Sequence, residues 1–267
     1  MLKKTSNEKK LVVLIGDGIR HQHFLFQLNS KHNISAVFIE KSKYPQPIAK
    51  TENEKNAWTW FFERRKVFEH ETISPTLNIK TLNNPDIFYV KKNGLNSLKT
   101  LTKLKEISPD FIACFGTGIL HEKILSNFPG CIFNLHVGIP AYYRGSSCNF
   151  WPIYNSDLKN LGATVHRIEK GIDTGKIAGA KLITLEPTDN EQTLAWKTIH
   201  VGTQVMLDTI DKWKLEMLHL KEQKQIGTLY KMKEFNPAAI VKVKKDSFFV
   251  QGHFPGCLLY TSDAADE

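Results

Sequence analysis

Three short apolar runs, each cut off by glycine or a polar turn, constrain this chain most. Leu11-Val12-Val13-Leu14-Ile15 ends at Gly16-Asp17-Gly18, Phe111-Ile112-Ala113-Cys114-Phe115 ends at Gly116-Thr117-Gly118, and residues 131–135 end at His136. Runs this short, bounded by turn residues, read as strands buried on both faces rather than as helices. Helical patterns lie between them: residues 19–29 follow the first loop, and Leu95, Leu98, Leu101 and Leu104 recur at helical spacing before the second run. Residues 34–39 and 87–90 read as further strands. Strands alternating with helices predict an α/β fold, an open and mostly parallel sheet with helices on both faces. Ligands of such sheets bind outside the carboxyl ends of the strands. Gly16, Gly116 and His136 all fall at such ends, which predicts one shared crevice.

The remaining chain decorates this sheet. Residues 52–71 are polar but carry Trp58, Trp60, Phe61, Phe62 and Phe68, a helical insertion expected to pack an aromatic face on the core, with an aromatic lid as the alternative. Residues 163–168 and 177–185 read as later strands. Thr188 and Glu191 have capping-box spacing before a long helix whose one face carries Ala195, Ile199, Met206, Ile210 and Trp213. A small C-terminal module is expected to begin after Asn236-Pro237. The expected organisation is a disordered N-terminus at 1–9, a catalytic domain at 10–215 and a truncated C-terminal extension at 216–256. Residues 257–267 resemble translated sequencing adaptor and are not expected to belong to the fold.

Bulk properties narrow the class. Hydrophobic residues make up 41%, enough for a real core, and no run of eighteen apolar residues suggests a membrane span. The basic start leads into a strand-like run rather than a signal-peptide core, so a cytoplasmic location is expected. The formal charge is +9, and the lysines are scattered, which reads as a solvated basic surface. The dense cluster Lys242-Val243-Lys244-Lys245 is weak evidence for nucleic acid. Cys114, Cys131, Cys148 and Cys257 lack metal-ligand spacing and read as free thiols, with Cys148 close enough to the site to line it. His21 and His23 lack a third ligand, so no metal is expected.

The chemistry concentrates in two blocks, Phe133-Asn134-Leu135-His136 and Gly171-Ile172-Asp173-Thr174-Gly175. On a strand, alternate side chains share a face, so Asn134 and His136 point together while Leu135 enters the core. An amide beside an imidazole can polarise a carbonyl and move a proton, and a carboxylate from a glycine-bounded loop can orient that imidazole. With Pro140-Ala141-Tyr142-Tyr143-Arg144-Gly145 and Gly162-Ala163-Thr164-Val165-His166 between them, these blocks resemble, in order and spacing, the core of the folate-dependent formyltransferases. That family includes methionyl-tRNA, glycinamide ribonucleotide and sugar-nucleotide formyltransferases. The weaker resemblance runs over residues 11–213. Two features depart from it: Val137-Gly138 stands where the family often has Pro-Ser, and Ser146-Ser147-Cys148-Asn149-Phe150-Trp151 looks more like the branch acting on surface-sugar precursors.

The resemblance implies a Rossmann-like formyltransferase fold, 10-formyltetrahydrofolate as co-substrate and a primary amine as acceptor. It implies a catalytic set of Asn134, His136 and Asp173. It places the donor's pterin against main-chain groups around Gly116, Ile119, Leu120, Gly171 and Ile172, and the acceptor near Tyr143, Arg144, Gly145 and Thr164. Arg144 would hold a phosphate or carboxylate, the alternative being a loop arginine tied to backbone carbonyls. His166 would share the face of Thr164, as a site residue or a structural one. Gly16-Asp17-Gly18 lacks the third glycine of a dinucleotide fingerprint and is expected near the acceptor's anionic part, with Arg20, His21 or His23. An amino-sugar nucleotide is the expected acceptor, followed by methionyl-tRNA and glycinamide ribonucleotide. A folate-binding module without turnover is a separate alternative. Asp173-Thr174-Gly175 is also the aspartic-protease triplet, but that chemistry needs two such carboxylates and the chain has one. The sequence leaves the oligomeric state open.

Overall fold

The computed structural model describes residues 9–41, 47–77 and 85–246. Residues 257–267, Cys257 and most of the expected N-terminal tail lie outside the described residues.

In chain order the elements are β1 (Leu11–Gly16), α1 (Ile19–Lys31), β2 (Ala36–Glu40), α2 (Glu52–Phe68), β3 (Asp86–Val90), α3 (Leu98–Ile107), β4 (Phe111–Phe115) and α4 (Glu122–Leu125). They continue as β5 (Ile132–His136), β6 (Tyr143–Gly145), α5 (Trp151–Tyr154), β7 (Gly162–Arg167), β8 (Ile177–Leu182), α6 (Glu191–Lys214), β9 (Thr228–Tyr230) and α7 (Pro237–Asp246). Seven strands form one sheet in the order β3-β2-β1-β4-β5-β7-β8. β3 to β5 run parallel, while β7 and β8 run antiparallel to their neighbours. The α/β expectation holds, and each expected strand is present within two or three residues.

The parallel half explains itself from sequence. β1 and β4 are apolar at every position and fully buried, because helices cover both faces. On one face Phe24, Leu25 and Leu28 of α1 and Ile199, Met206 and Ile210 of α6 pack on Val13, Ala113 and Leu135. On the other, Leu101 and Leu104 of α3 and Ile124 of α4 pack on Val12, Leu14 and Ile112. The cap of α6 lies two residues after the expected Thr188: it is Asn190, with Oδ1 accepting from Gln192 N and Thr193 N, while Asn190 N–H donates to Thr193 Oγ1. Asp189 is turned away to Glu186 N and Lys197, which leaves Thr188 in the preceding turn.

The aromatic insertion is core, not lid. Phe61 of α2 packs edge-on against Phe150 and Phe235, and Ala57, Phe61, Trp151, Ile240 and Val243 share a third apolar cluster joining α2, α5 and α7. The described residues from Pro237 on, which form α7, are thus docked on α2. β9, from the same C-terminal stretch, pairs parallel with β6 immediately after the catalytic block.

Candidate active site

β5 delivers the first two candidates. Its apolar side chains Phe133 and Leu135 enter the α1–α6 core, which turns Asn134 and His136 to the other face. β7 lies antiparallel beside it, with Asn134 opposite His166 and His136 opposite Thr164. The β7–β8 register shifts between Val165 and His166, a bulge of the kind that re-aims a side chain. The loop after β7 then carries Asp173 back over both histidines.

That return needs unusual backbone. Asp173 has φ +53°, left-handed but tolerated by Asp better than by branched residues. Gly175 packs so tightly that an added Cβ would lie 1.9 Å from Arg167 O. Gly145 has φ +93°, its Cβ would lie 2.2 Å from Tyr230 O, and its N–H donates to Asp173 Oδ2 at 2.8 Å. Both glycines are therefore required by close approach.

The result is a buried polar knot. Asp173 Oδ2 lies 3.4 Å from His136 Nδ1, and Oδ1 lies 3.2 Å from His166 Nε2. Asn134 Nδ2 is 3.4 Å from His166 Nε2, and His166 Nδ1 is 3.0 Å from Arg167 O. Burial opposes a charge on Asp173, yet His136, the His166 hydrogen bond and the Gly145 N–H together hold its carboxyl well below the usual carboxylate range.

His136 is 5% exposed and pulled both ways. Burial lowers its pKa, Asp173 pushes it back up, His166 lowers it again and the Tyr143 carbonyl raises it; the net direction is down. Its Nε2 is 2.9 Å from Tyr143 O, so both ring nitrogens face oxygens. A neutral ring carries one N–H and must turn a lone pair towards one of them. The charged ring satisfies both but lacks water. Burial tips the balance towards the neutral ring, while Asp173 opposes it by favouring the charged form, the kind of opposed environment found at groups used for proton transfer.

The acceptor candidates are placed differently from expectation. Tyr143 is buried, its hydroxyl donates to Asp157 Oδ2 at 2.8 Å, and only its carbonyl reaches His136. Thr164 is fully buried and donates to Gly138 O at 2.9 Å, so it holds the turn after β5 and meets no crevice. Arg144 follows the alternative reading: Nε donates to Gly227 O at 3.0 Å and Nη1 to Ile172 O at 3.1 Å. Gly145 braces Asp173. An alternating strand pattern could not separate side chains facing the crevice from those stitching loops beneath it. His166, weighed equally as structural, lies 3.2 Å from Asp173 Oδ1, beyond the register shift that follows Val165.

Around the knot, Gly138 has room for no side chain. A Cβ there would lie 2.6 Å from Cys148 Cβ and 2.7 Å from His136 Nε2. The Val137-Gly138 departure therefore goes with a cysteine packed beneath the histidine. Burial pushes the Cys148 thiol well above its ordinary range, with Asp173 adding to the effect, so it is packing rather than nucleophile. Much of the 146–151 stretch is packing too: Trp151 stacks on Tyr230 with centroids 4.4 Å apart, and its Nε1 donates to Ser146 O at 2.8 Å.

The two loops expected to hold a pterin present exposed Ile119 and Ile172, while Leu120 is turned into the core. Exposed branched apolar side chains beside extended main chain suit the faces and edges of a flat heterocycle, so these residues fit such a group. Of the three residues expected beside Gly16-Asp17-Gly18, His21 lies against that loop and against Gly116, while His23 and Arg20 are engaged elsewhere. His21 accepts from Gly18 N at 3.1 Å and packs on Phe115, His23 packs on Trp196, and Arg20 is paired with Glu69. A cavity of about 410 Å³ lined by Lys9, Asp110, Cys131 and Trp213 sits at the amino ends of the strands, remote from this chemistry.

The sequence profile of the formyl transferase family matches residues 9–210. A methionyl-tRNA formyltransferase of Thermodesulfovibrio yellowstonii is 34% identical over 46% of this chain, and the chain covers 40% of that relative's length. A phosphoribosylglycinamide formyltransferase of Anaplasma phagocytophilum superposes with a TM-score of 0.58 at 17% identity, covering 84% of this chain and 98% of that one. A sugar N-formyltransferase of a Shewanella species superposes with a TM-score of 0.56 at 14% identity, covering 85% and 78%. These structural likenesses bear on the fold. Among the described residues no helix is long and apolar enough to cross a membrane.

Proposed function

The chain belongs to the formyl transferase family, and we propose that it transfers a formyl group from 10-formyltetrahydrofolate to a primary amine, with Asn134, His136 and Asp173 as the catalytic set. The observation that carries this reading is the ionised, nearly buried Asp173 held between His136 and His166 at the carboxyl end of β5. The folate, when bound, supplies an electrophilic formyl carbon. Ile119 and Ile172, with the main chain around Gly116, Leu120 and Gly171, would hold it.

Asn134 Nδ2–H and a protonated His136 are the donors for the oxygen that gains negative charge. One preorganised donor of this kind is typically worth about 3–4 kcal/mol of barrier. His136 Nε2–H must release the Tyr143 carbonyl to reach a ligand oxygen. Asp173 steadies the imidazolium and draws the proton from the attacking amine, directly or through water, and that proton would pass to the folate nitrogen released as its bond to the formyl carbon breaks. His166 and the Gly145 N–H keep Asp173 aimed.

The acceptor we favour is a nucleotide-linked amino sugar. The likeness of the 146–151 stretch to the sugar-precursor branch supports it. Methionyl-tRNA is the second reading, favoured by the identity to the Thermodesulfovibrio protein. Incubation with 10-formyltetrahydrofolate and amino-sugar nucleotides, methionyl-tRNA or glycinamide ribonucleotide, with products read by mass spectrometry, decides between them. Formylated amino-sugar nucleotide is the expected product. Formylation of methionyl-tRNA alone transfers the assignment to the second reading, and absence of any product contradicts formyl transfer to these amines.

A further inference from the structure

Glu40 is a buried carboxylate that the chemistry above leaves unused. It ends β2, is 4% exposed, and lies beside Gly16 of β1 in register. Its Oε2 accepts the Gly118 N–H at 2.8 Å, while Oε1 is buried with no hydrogen-bond partner among the described residues. An unpartnered buried carboxylate oxygen is costly, so its persistence calls for a donor that arrives from outside the fold.

Its place in the sheet indicates which donor. The strand order reverses between β1 and β4, and the loops from those two strands, Gly16-Asp17-Gly18 and Gly116-Thr117-Gly118, flank Glu40. The contact is close: a Cβ on Gly118 would lie 3.2 Å from Glu40 Oε2. In dinucleotide-binding α/β sheets an acidic residue about twenty positions beyond the glycine-rich first loop accepts from a ribose hydroxyl. Glu40 occupies that position, though the loop has only two of the three usual glycines. β2 and β5 are three strand spacings apart, roughly 14 Å at about 4.8 Å each. That separation puts a sugar amine at His136 and a ribose at Glu40 on one extended ligand.

We propose that Glu40 Oε1 accepts a hydrogen bond from a ribose hydroxyl of the acceptor's nucleotide and so selects ribonucleotide-linked substrates. This rests on the amino-sugar nucleotide reading given above. The discriminating variant is Glu40→Gln. Its amide oxygen can still accept from Gly118, while its NH2 replaces the orphan acceptor with a donor.

Calorimetric titration of the full chain with the diphosphates of uridine, cytidine, guanosine and adenosine, each paired with its 2′,3′-dideoxy analogue, tests this. The wild type is expected to bind at least one ribonucleotide about 10- to 100-fold more tightly than its dideoxy partner. Glu40→Gln is expected to erase that preference and leave the dideoxy affinity and the melting temperature unchanged. The proposal is overturned if the wild type shows no preference, if the preference survives in Glu40→Gln, if both affinities fall equally, or if no nucleoside diphosphate binds. Formylation separates the two readings. An amino-sugar nucleotide formylated with equal KM by wild type and Glu40→Gln defeats the Glu40 role alone. A wild type that formylates only amines without a nucleotide defeats the acceptor reading and this role with it.

Discussion

The two halves of the sheet are built on opposite terms. Around β1 and β4 every inward position is apolar, the backbone is regular, and α1, α3, α4 and α6 close both faces. At the β5–β7 corner comparable burial is given to His136, Thr164 and His166, with Asn134 and Asp173 half-buried beside them and a bulge and left-handed backbone to aim them. The first region secures the fold by excluding water. The second spends part of that stability on groups poised for chemistry. A change in one half should therefore alter stability and leave turnover per folded molecule intact, and a change in the other should do the reverse.

The largest effect belongs to Asp173. Asp173→Asn keeps the size of the side chain and the Gly145 contact but removes the charge between the histidines. Turnover in the formylation assay is expected to fall about 10²- to 10⁴-fold, with circular dichroism unchanged; a fall under about threefold would erase the contrast. Leu14→Ala, fully buried in the apolar half, mirrors it. It is expected to cost about 3–5 kcal/mol in urea unfolding with normal turnover per folded molecule.

Thr164→Val sits on the boundary. It leaves Gly138 O, beneath His136, without its donor, and is expected to cost about 1–3 kcal/mol together with a severalfold loss of turnover. A change in only one of the two would assign Thr164 to a single half.

The smallest effect is a pH slope. Burial, helped by His200, pushes the His23 pKa down to about 4 from its ordinary value near 6.5. Between those values the unfolded chain binds a proton that the folded chain refuses, so this contribution to stability is lost as pH falls through that window. His23→Phe is expected to reduce the slope of urea midpoints measured from pH 7 to 4.5, the remainder coming from His21, His32 and His136, which are also pushed down. Loss tied to Asp173, whose pKa is held low, begins only below the ordinary carboxylate value near 3.9. An unchanged slope in His23→Phe would place the acid sensitivity elsewhere.

The apolar half was legible because its information is local. Leu11–Gly16 and Phe111–Phe115 announce buried strands by composition alone, and their glycines announce the crevice. The pairing of Asn134 with His136 was legible through strand alternation, and the importance of Asp173 through resemblance. The contacts of Tyr143, Arg144 and Gly145 were not, because they depend on β9 returning from more than eighty residues away to pair with β6. The orphan on Glu40 was also hidden, since a terminal acidic residue after an apolar strand reads as an exposed strand end.

The most direct test of the central claim compares formylation by the wild type and by His136→Ala, each normalised to folded protein by circular dichroism and thermal melting. The account predicts a loss of several orders of magnitude in turnover with an unchanged fold. Near-normal turnover by His136→Ala would contradict it and remove the β5–β7 corner as the seat of the chemistry.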